Sequence, residues 1–499
     1  YYPLIIILLL AAGLRITSLL TRGNFWFDEN FSIHFSTLTS WADTWKYWVL
    51  ETNPPLYTLF LRFYLSLVNQ NNEILARLPS LVFGLGSIVL LYIFAEKIFS
   101  KKTAIISATL LAFSVLHIFA SVETRVYSLL VLLTIASFFI FHFITIEQKD
   151  NTKLWILYAI INILLLYSHL TSLTVILIQF LILHFSVNDK KIIKKWYTIQ
   201  FISFVLWSVW FVPSTLSKLN LNLGNAWYFE TAGNFLTLLL YPLINSIDNN
   251  LINTLFIVLL FVGFYILATM LKETKDIKTK NTLLAISIWA LLPIILSSML
   301  NSFNVKYIIL SYPAIFMLTG RIIEKHIATK KGFIVFIAFI VIIFSPPTIK
   351  FISQPIFSWG VFNDYLKKNE TDQSIVIIPF TQELDFKTQY TGDMPVISLY
   401  LKEDNLSIEE KIVRNNWYKQ NTTPEDLYKW ILSKTKKERI NQIFLLDKNS
   451  TEKIIKDVLV ENHWSVTDDN VFAGLAYNIT KFNAPNYNTT STICLPQNR

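Results

Sequence analysis

Long apolar runs separated by short polar connections fill the chain up to about residue 346. Each run is close to the roughly 20 residues that a helix needs to cross a bilayer. The pattern therefore predicts eleven membrane-spanning helices. They lie near residues 4–20, 77–96, 103–120, 126–146, 154–168, 169–187, 196–213, 251–271, 281–300, 307–323 and 332–346.

Two further apolar stretches are predicted to lie on the membrane surface. Residues 40–50 place three tryptophans at helical spacing, and residues 54–69 are short and carry Arg62. Both features are typical of helices at the interface between lipid and water. The first outer loop, residues 21–76, is therefore expected to carry two juxtamembrane helices.

Lysines in the connections predict the orientation. With a cytoplasmic amino end, nearly every lysine of a short loop falls inside, as the positive-inside rule requires. The lysines fall on the cytoplasmic side only if residues 54–69 do not cross the membrane. The lysines are Lys97, Lys101, Lys102, Lys149, Lys153, Lys190, Lys191, Lys194, Lys195, Lys272, Lys275, Lys278, Lys280, Lys325, Lys330 and Lys331.

The chain becomes polar after the two prolines at 346 and 347. Alternating runs predict strands and periodic stretches predict helices. The expected fold class is thus an all-α polytopic membrane domain over 1–347, followed by a small extracytoplasmic α/β domain over 348–499. The predicted strands include 374–379 and 442–447, and the predicted helices include 408–419 and 424–436.

The second domain contains six Asn-x-Ser/Thr sequons, which favour an extracytoplasmic and glycosylated location. An Asn-rich composition explains them equally well. The sequons begin at Asn369, Asn405, Asn421, Asn449, Asn478 and Asn488.

Composition agrees with a membrane protein. Of 499 residues, 53% are hydrophobic and 15% charged, against about a quarter charged in soluble proteins. This composition excludes a disordered chain. The net charge of +9 comes from lysines in the loops, so it is not evidence of nucleic-acid binding. The single Cys494 excludes an internal disulfide framework and a cysteine-based metal cluster.

Ionisable residues beside the spans are costly and therefore are functional candidates. Under the predicted topology they gather on the outer face. They are Asp28 and Glu29 after the first span, Glu123 and Arg125 before the fourth, His169 between two short spans, and Lys306 and Tyr307 at the tenth.

These residue types suit transfer chemistry at a membrane surface. Asp28 can act as a general base on an acceptor hydroxyl, while Glu29 positions it or contributes to a cation site. Arg125 and Lys306 can bind a phosphate. Arg77 either caps the second span or approaches the same phosphate.

Structural interpretations of the same residues remain open. The Asp28 and Glu29 pair can be an interfacial turn that faces water, and Glu123 with Arg125 can be an ion pair at a helix start. His169 can be a hydrogen-bonded interfacial histidine. Asn53, before two prolines, can simply begin a turn.

Six segments resemble motifs of the GT-C class of integral-membrane glycosyltransferases, in the group of protein O-mannosyltransferases and lipid A aminoarabinose transferases. They occur in family order. The segments are WFDENFSI, NPPLY, ARLPSLVFG, FASVETRVYSL, YSHLTSL and VKYIILSYPAIF, between about Asn24 and Tyr312.

The resemblance implies a sugar donor carried on a polyprenyl phosphate, dolichyl or undecaprenyl. Asp28 would be the catalytic base with Glu29 beside it. The donor site would be lined by Glu123, Arg125, Lys306, Tyr307, His169, Arg77 and Asn53. Two residues depart from the family pattern: Asn53 replaces the usual His or Lys, and Lys306 replaces Arg, so a divalent metal requirement stays open.

The predicted function is transfer of a sugar from that carrier to an acceptor hydroxyl of a protein, lipid or glycan on the extracytoplasmic face. A multi-pass protein of a prokaryotic plasma membrane is expected, without a nucleotide cofactor. The alternatives are an oligosaccharide ligase or oligosaccharyltransferase with a lipid diphosphate donor, a membrane lipid transporter, and a non-catalytic scaffold.

Overall fold

The computed structural model divides the chain into two compact units, one over Tyr1–Pro355 and the other from Ile356 onward. The structure describes residues 2–69, 72–220, 250–300, 305–327, 329–353, 359–379, 390–399, 440–447, 450–471 and 478–484, with single positions 383, 386, 389, 429 and 431.

Helices make up the first unit. Its first eleven helices are α1 Tyr2–Thr21, α2 Phe27–Thr37, α3 Trp41–Leu50, α4 Leu56–Leu65, α5 Glu73–Ile98, α6 Lys101–Phe113, α7 Val115–Ser121, α8 Tyr127–Thr145, α9 Thr152–Leu166, α10 Ser172–Ser186 and α11 Lys190–Asn220. They are followed by Asn250–Glu273, Ile277–Met299, a 3-10 helix Val305–Ser311, Tyr312–His326 and Lys330–Ser353.

Seven helices in the described part of the chain are long and apolar enough to cross a membrane. The α6–α7 pair, bent by 66°, is an eighth candidate, and α9 and α10 are shorter apolar helices. Each of the eleven predicted spans overlaps one of the helices above or the bent pair. The two predicted surface stretches coincide with α3 and α4, and the number of crossings stays a prediction.

A buried arginine supports the bend between α6 and α7. Arg15 of α1 is fully buried and donates to the Ala112 carbonyl at 3.0 Å. It also contacts His117 Nδ1 at 2.8 Å and Ser121 Oγ at 3.2 Å. A bent helix leaves carbonyls without their intrahelical donors, so Arg15 stabilises the geometry that leads α7 into the turn at residues 122–126.

One face of α5 supports the same turn. Arg77, Ser80 and Gly84 are spaced at i, i+3 and i+7, so they lie on one side of the helix. Ser80 Oγ donates to the Arg125 carbonyl at 3.3 Å. At Gly84, α5 approaches α7 so closely that a Cβ added to this glycine would lie 2.7 Å from Ser121 Cβ of α7.

A five-stranded sheet with order β2-β1-β3-β5-β4 lies in the second unit. Pairing is parallel for β1 with β2 and β3, and antiparallel for β5 with β3 and β4. The strands are β1 Ser374–Pro379, β2 Val396–Leu399, β3 Gln442–Asp447, β4 Ser465–Val471 and β5 Asn478–Asn483, and the helices include Trp359–Asn369 and Ser450–Glu461.

The strands predicted at 374–379 and 442–447 coincide with β1 and β3. The predicted helices at 408–419 and 424–436 lie outside the described residues, except for single positions. The asparagines of four sequons also lie outside the described residues. Of the other two, Asn369 ends a helix and Asn478 begins β5.

Gly84→Ala tests the close approach of α5 to α7. We expect the free energy of unfolding to fall by about 1–3 kcal/mol, because the added methyl overlaps Ser121. Gly86→Ala, on the same helix, is the matched control, since its Cβ would meet Leu132 at an ordinary 3.6 Å. Thermal unfolding in detergent measures both, and equal stability of the two variants would refute the close contact.

Candidate functional site

Three segments that are distant in sequence meet at the candidate site: the start of α2, the turn at 122–126 and the 3-10 helix Val305–Ser311. They bring Asp28, Glu123, Arg125 and Lys306 together. The sequence predicted that these side chains would share one face. The structure places them in contact, and their roles are taken up as proposals below.

Asp28 and Glu29 occupy the first turn of α2, where the helix dipole favours negative charge. Adjacent helical residues point about 100° apart, so the two carboxylates enter different surroundings. The Asp28 side chain is 25% exposed, whereas Glu29 is fully buried. Only Asp28 is therefore open to a reactant.

Glu29 forms a bidentate ion pair with Arg77 of α5. Arg77 Nε lies 2.7 Å from Glu29 Oε1, and Nη2 lies 2.8 Å from Oε2. The Thr124 backbone amide donates to Oε1 at 2.9 Å. Burial raises the pKa of Glu29, but the charge and hydrogen bonds of Arg77 outweigh it and the pKa is lowered. Glu29 is thereby held ionised in a cross-link between α2, α5 and the 122–126 turn.

Arg77 uses its remaining donors on the backbone. Nη1 donates to the Gly23 carbonyl at 2.8 Å and Nη2 to the Asn24 carbonyl at 3.0 Å. Of the two interpretations from the sequence, this geometry favours a structural role at the top of α5 over direct phosphate contact.

Lys306 lies between two carboxylates. Its Nζ is 3.1 Å from Asp28 Oδ2 and 3.2 Å from Glu123 Oε1. The ammonium also lies 4.4 Å from the ring centre of Trp26, a distance suited to a cation–π contact. Lys306 thus offsets the repulsion between the two acids.

Glu123 is fully buried. Burial raises its pKa, although the neighbouring Lys306 ammonium lowers it. Its Oε2 accepts no hydrogen bond from the residues that the structure describes. Burial outweighs the effect of Lys306, so the pKa of Glu123 is raised above its ordinary value.

Arg125 faces α2 from the same turn. Its Nη1 lies 3.1 Å from Ser32 Oγ and 3.4 Å from the Asp28 carbonyl. Burial lowers its pKa, but the acidic groups around it, of which Asp28 contributes most, together outweigh this effect and the pKa is raised. Arg125 therefore stays cationic, and within the described residues its buried Nε has no hydrogen-bond partner.

His169 lies in the turn between α9 and α10. Its Nδ1 accepts from the Thr171 backbone amide at 3.2 Å and is 2.8 Å from Thr171 Oγ1. The ring packs against Tyr127 and Tyr307 with centres 5.7 and 5.5 Å apart. Burial, with Arg125 adding to it, lowers the pKa of His169 to about 3. His169 is thus a neutral, hydrogen-bonded histidine at the edge of the site.

Two residues that the sequence did not single out join this region. Arg22 is buried 3.9 Å from Glu29 Oε2 and stacks on Phe119 at 4.4 Å. Glu51, at the end of α3, accepts from Asn53 through both the backbone amide and the side chain. An acidic residue shortly before NPPLY was the only signal for Glu51.

A small pocket with a cavity volume of about 20 Å³ lies beside Arg125. Its lining residues are Phe31, Ser32, Glu51, Asn53, Pro54, Tyr57, Thr58, Arg125, Val126 and Ser168. Among the described residues, no three His, Cys, Asp or Glu side chains are placed to hold a metal ion.

Comparison with known proteins identifies a family signature in the first unit. The family model described as dolichyl-phosphate-mannose-protein mannosyltransferase matches residues 52–212. This stretch contains Asn53, Arg77, Glu123, Arg125 and His169. No match to a curated protein sequence reaches significance.

Solved structures share the fold. ArnT from Cupriavidus metallidurans in the apo state has a TM-score of 0.61 at 12% identity over 96% of this chain and 97% of that one. ArnT bound to undecaprenyl phosphate gives 0.57, with the same identity and coverage. An Archaeoglobus fulgidus oligosaccharyltransferase in complex with Zn and sulfate gives 0.54 at 11% identity, over 89% and 67%.

These comparisons confirm the resemblance to GT-C glycosyltransferases that the six motifs indicated. The family model overlaps four of the motif segments, and the fold matches extend over most of the chain. Together with the candidate spans, they identify a multi-pass membrane protein.

His169 should contribute to loss of stability in acid. Below its ordinary pKa of 6.5 the unfolded chain binds a proton, while the folded histidine stays neutral until about pH 3. Stability therefore falls across this window, by up to about 1.4 kcal/mol per pH unit. His169→Gln should make the melting temperature less dependent on pH between pH 7 and 5. Parallel profiles for wild type and His169→Gln would contradict the neutral assignment.

Proposed function

We propose that the chain is a membrane glycosyltransferase that moves a sugar from a polyprenyl monophosphate to an acceptor hydroxyl on the extracytoplasmic face. The observation that carries this proposal is a partly exposed Asp28 beside two cations, Lys306 and Arg125. The same fold holds undecaprenyl phosphate in ArnT, and the matched family is described by its dolichyl-phosphate-mannose donor.

The donor phosphate is held by Arg125 and Lys306. Arg125 keeps its charge and presents a planar set of donors, whereas Lys306 acts as a point charge. Lys306 is paired with Asp28 and Glu123 before the donor arrives. Since burial raises the pKa of Glu123, Glu123 can take up a proton as the phosphate enters. Lys306 is then released to neutralise the phosphate.

Asp28 acts on the acceptor. Its carboxylate takes the proton of the acceptor hydroxyl as the hydroxyl oxygen attacks the anomeric carbon. The bond between that carbon and the phosphate oxygen breaks, and the polyprenyl phosphate leaves with the electron pair. The cations beside it stabilise the charge of the leaving group.

Glu29 and Arg77 serve this chemistry indirectly. Both are buried, and both are committed to each other and to the backbone. We assign them to positioning Asp28 and the turn that carries Arg125. Among the residues suggested by the family motifs, Asp28 therefore retains the role of catalytic base by itself.

The topology proposed from the sequence fits this function. Eleven spans with the amino end inside place the site and the unit after Ile356 on the outer face of a prokaryotic plasma membrane. The surface helices α3 and α4 then cover the site. Exclusion of water there limits hydrolysis of the donor.

An oligosaccharyltransferase using a lipid diphosphate is the second candidate, and the fold shared with the Archaeoglobus fulgidus protein favours it. A transporter has less support, because the charged residues gather at one end of the spans rather than near the bilayer centre.

Asp28→Asn tests the proposed reaction. Transfer from radiolabelled polyprenyl-phosphate sugars should fall by roughly 100- to 10,000-fold, as for loss of a general base, while the melting temperature stays near that of wild type. Undiminished turnover in the purified variant would remove Asp28 from catalysis. Running the assay with both monophosphate and diphosphate carriers decides between the two candidate functions, and activity with the diphosphate alone would favour the second.

Arg125→Ala tests the phosphate site. Loss of hydrogen bonds from a charged donor costs about 1.5–3 kcal/mol, so binding of undecaprenyl phosphate should weaken by roughly 10- to 100-fold. Lys102→Ala, in a predicted inner loop, is a cation control that should bind as wild type does. Wild-type affinity in Arg125→Ala would show that the phosphate binds elsewhere.

A further inference from the structure

A groove with a cavity volume of about 400 Å³ lies between the beginnings of α9 and α11. This volume falls in the range of roughly 300–1,000 Å³ that is typical of small-molecule sites. The 15 residues of α9 begin at the groove and end next to His169, so about 22 Å of helix separates the groove from the candidate site. The lining residues include Thr152 and Trp155 of α9 and Lys191, Lys194, Lys195 and Thr198 of α11.

The two helices place this α9–α11 groove at a boundary between lipid and water. α11 is long and apolar enough to cross a membrane, and α9 is a shorter apolar helix. Both begin after short polar segments, at 149–151 and 188–189. Lysine and tryptophan side chains are typical of this boundary. We therefore expect the groove to lie at the level of the lipid head groups.

The groove carries a net positive charge. Lys195 Nζ lies 2.5 and 2.8 Å from the two carboxylate oxygens of Asp150, so these two charges offset each other. Asp189 Oδ1 accepts from the Lys191 backbone amide at 2.7 Å and so caps α11. The side chains of Lys191 and Lys194 are exposed, and within the described part of the chain neither forms an ion pair.

The remainder of the groove is apolar. Most of the surface that it exposes is apolar, and Trp155 and Ile199 contribute to its lining. Ile202 and Val205 follow Thr198 at i+4 and i+7, so they lie on the same side of α11, further into the span. They are 48% and 51% exposed. An apolar surface thus leads from the lysines towards the hydrocarbon region of the bilayer.

This combination matches an amphiphile with an anionic head group. A lysine binds phosphate as a point charge and requires no particular geometry of the head group. The apolar surface beside the lysines suits an acyl chain, whereas a soluble phosphate would make no use of it. Basic pockets between membrane helices are a recurrent type of site for anionic lipids.

We propose that the α9–α11 groove binds an anionic phospholipid of the surrounding bilayer. Its phosphate lies at Lys191 and Lys194, and the first part of an acyl chain lies along Trp155. The lipid bridges the beginnings of two helices and stabilises their packing. The proposal does not depend on the transfer reaction.

The test compares two lipids that differ in head-group charge. Purified full-length protein in detergent is titrated with phosphatidylglycerol and with phosphatidylcholine of the same acyl chains. Native mass spectrometry measures binding, and the melting temperature measures stabilisation. Wild type should bind phosphatidylglycerol more tightly and be stabilised by it. The double variant Lys191→Gln with Lys194→Gln should weaken that binding by roughly fivefold per lysine, or roughly 25-fold together.

Lys272→Gln with Lys275→Gln is the matched control. These two lysines are also exposed and lie in another predicted inner loop, so the control removes the same charge from the protein but leaves the groove intact. It should bind phosphatidylglycerol as wild type does. Lys191→Arg with Lys194→Arg keeps both charges and should also retain binding. The melting temperature in phosphatidylcholine shows that each variant is folded.

Four results would overturn the proposal. Wild type could bind both lipids equally, or its preference could survive unchanged in the glutamine double variant. Equal loss of the preference in the Lys272 and Lys275 control would indicate general surface charge instead of the groove. Displacement of phosphatidylglycerol by inorganic phosphate would indicate a site for a soluble anion. Transfer activity is not measured, so failure of the proposed function leaves this test unaffected.

Discussion

The buried ion pair between Glu29 and Arg77 is the interaction on which the site depends. Its two short contacts and the Thr124 amide join α2, α5 and the 122–126 turn. Removal of either partner would leave a buried charge without compensation, which typically costs about 3–5 kcal/mol. Asp28 on one side of this pair and Arg125 on the other keep their positions because the three segments cannot move independently.

Four acidic residues with chemically almost identical side chains differ in how far they are buried and in what they contact. Glu29 is fully buried and paired with Arg77, whereas the Asp28 side chain is 25% exposed and is open to a reactant. Glu123 is sealed in but has one oxygen without a described partner, and Glu51 shows the same feature in a pocket. Since solvation and nearby charge determine how readily a carboxylate holds a proton, these surroundings assign different tasks to the same functional group.

Much of the architecture could be predicted from local pattern. The lengths of the apolar runs located the helices, and the alternation at 374–379 and 442–447 located two strands. The close approach of Asp28, Glu123, Arg125 and Lys306 could also be predicted, because a membrane restricts charges to the ends of spans. The ion-pair partners of individual residues could not be predicted from the sequence. Arg77, for example, lies 48 residues from Glu29, and neither helix propensity nor residue spacing indicates that they pair.

The sequence by itself determined which segments are apolar enough to be helices in a bilayer and which polar residues need an explanation there. Both are decided within about 20 residues by the cost of placing polar groups in lipid. Only the tertiary structure decided that Arg15 stabilises a helix bend, that Glu29 is structural while Asp28 is exposed, and that Glu51 shares a pocket with Arg125. Burial and pairing depend on which helix faces pack together, and that information is spread over the whole chain.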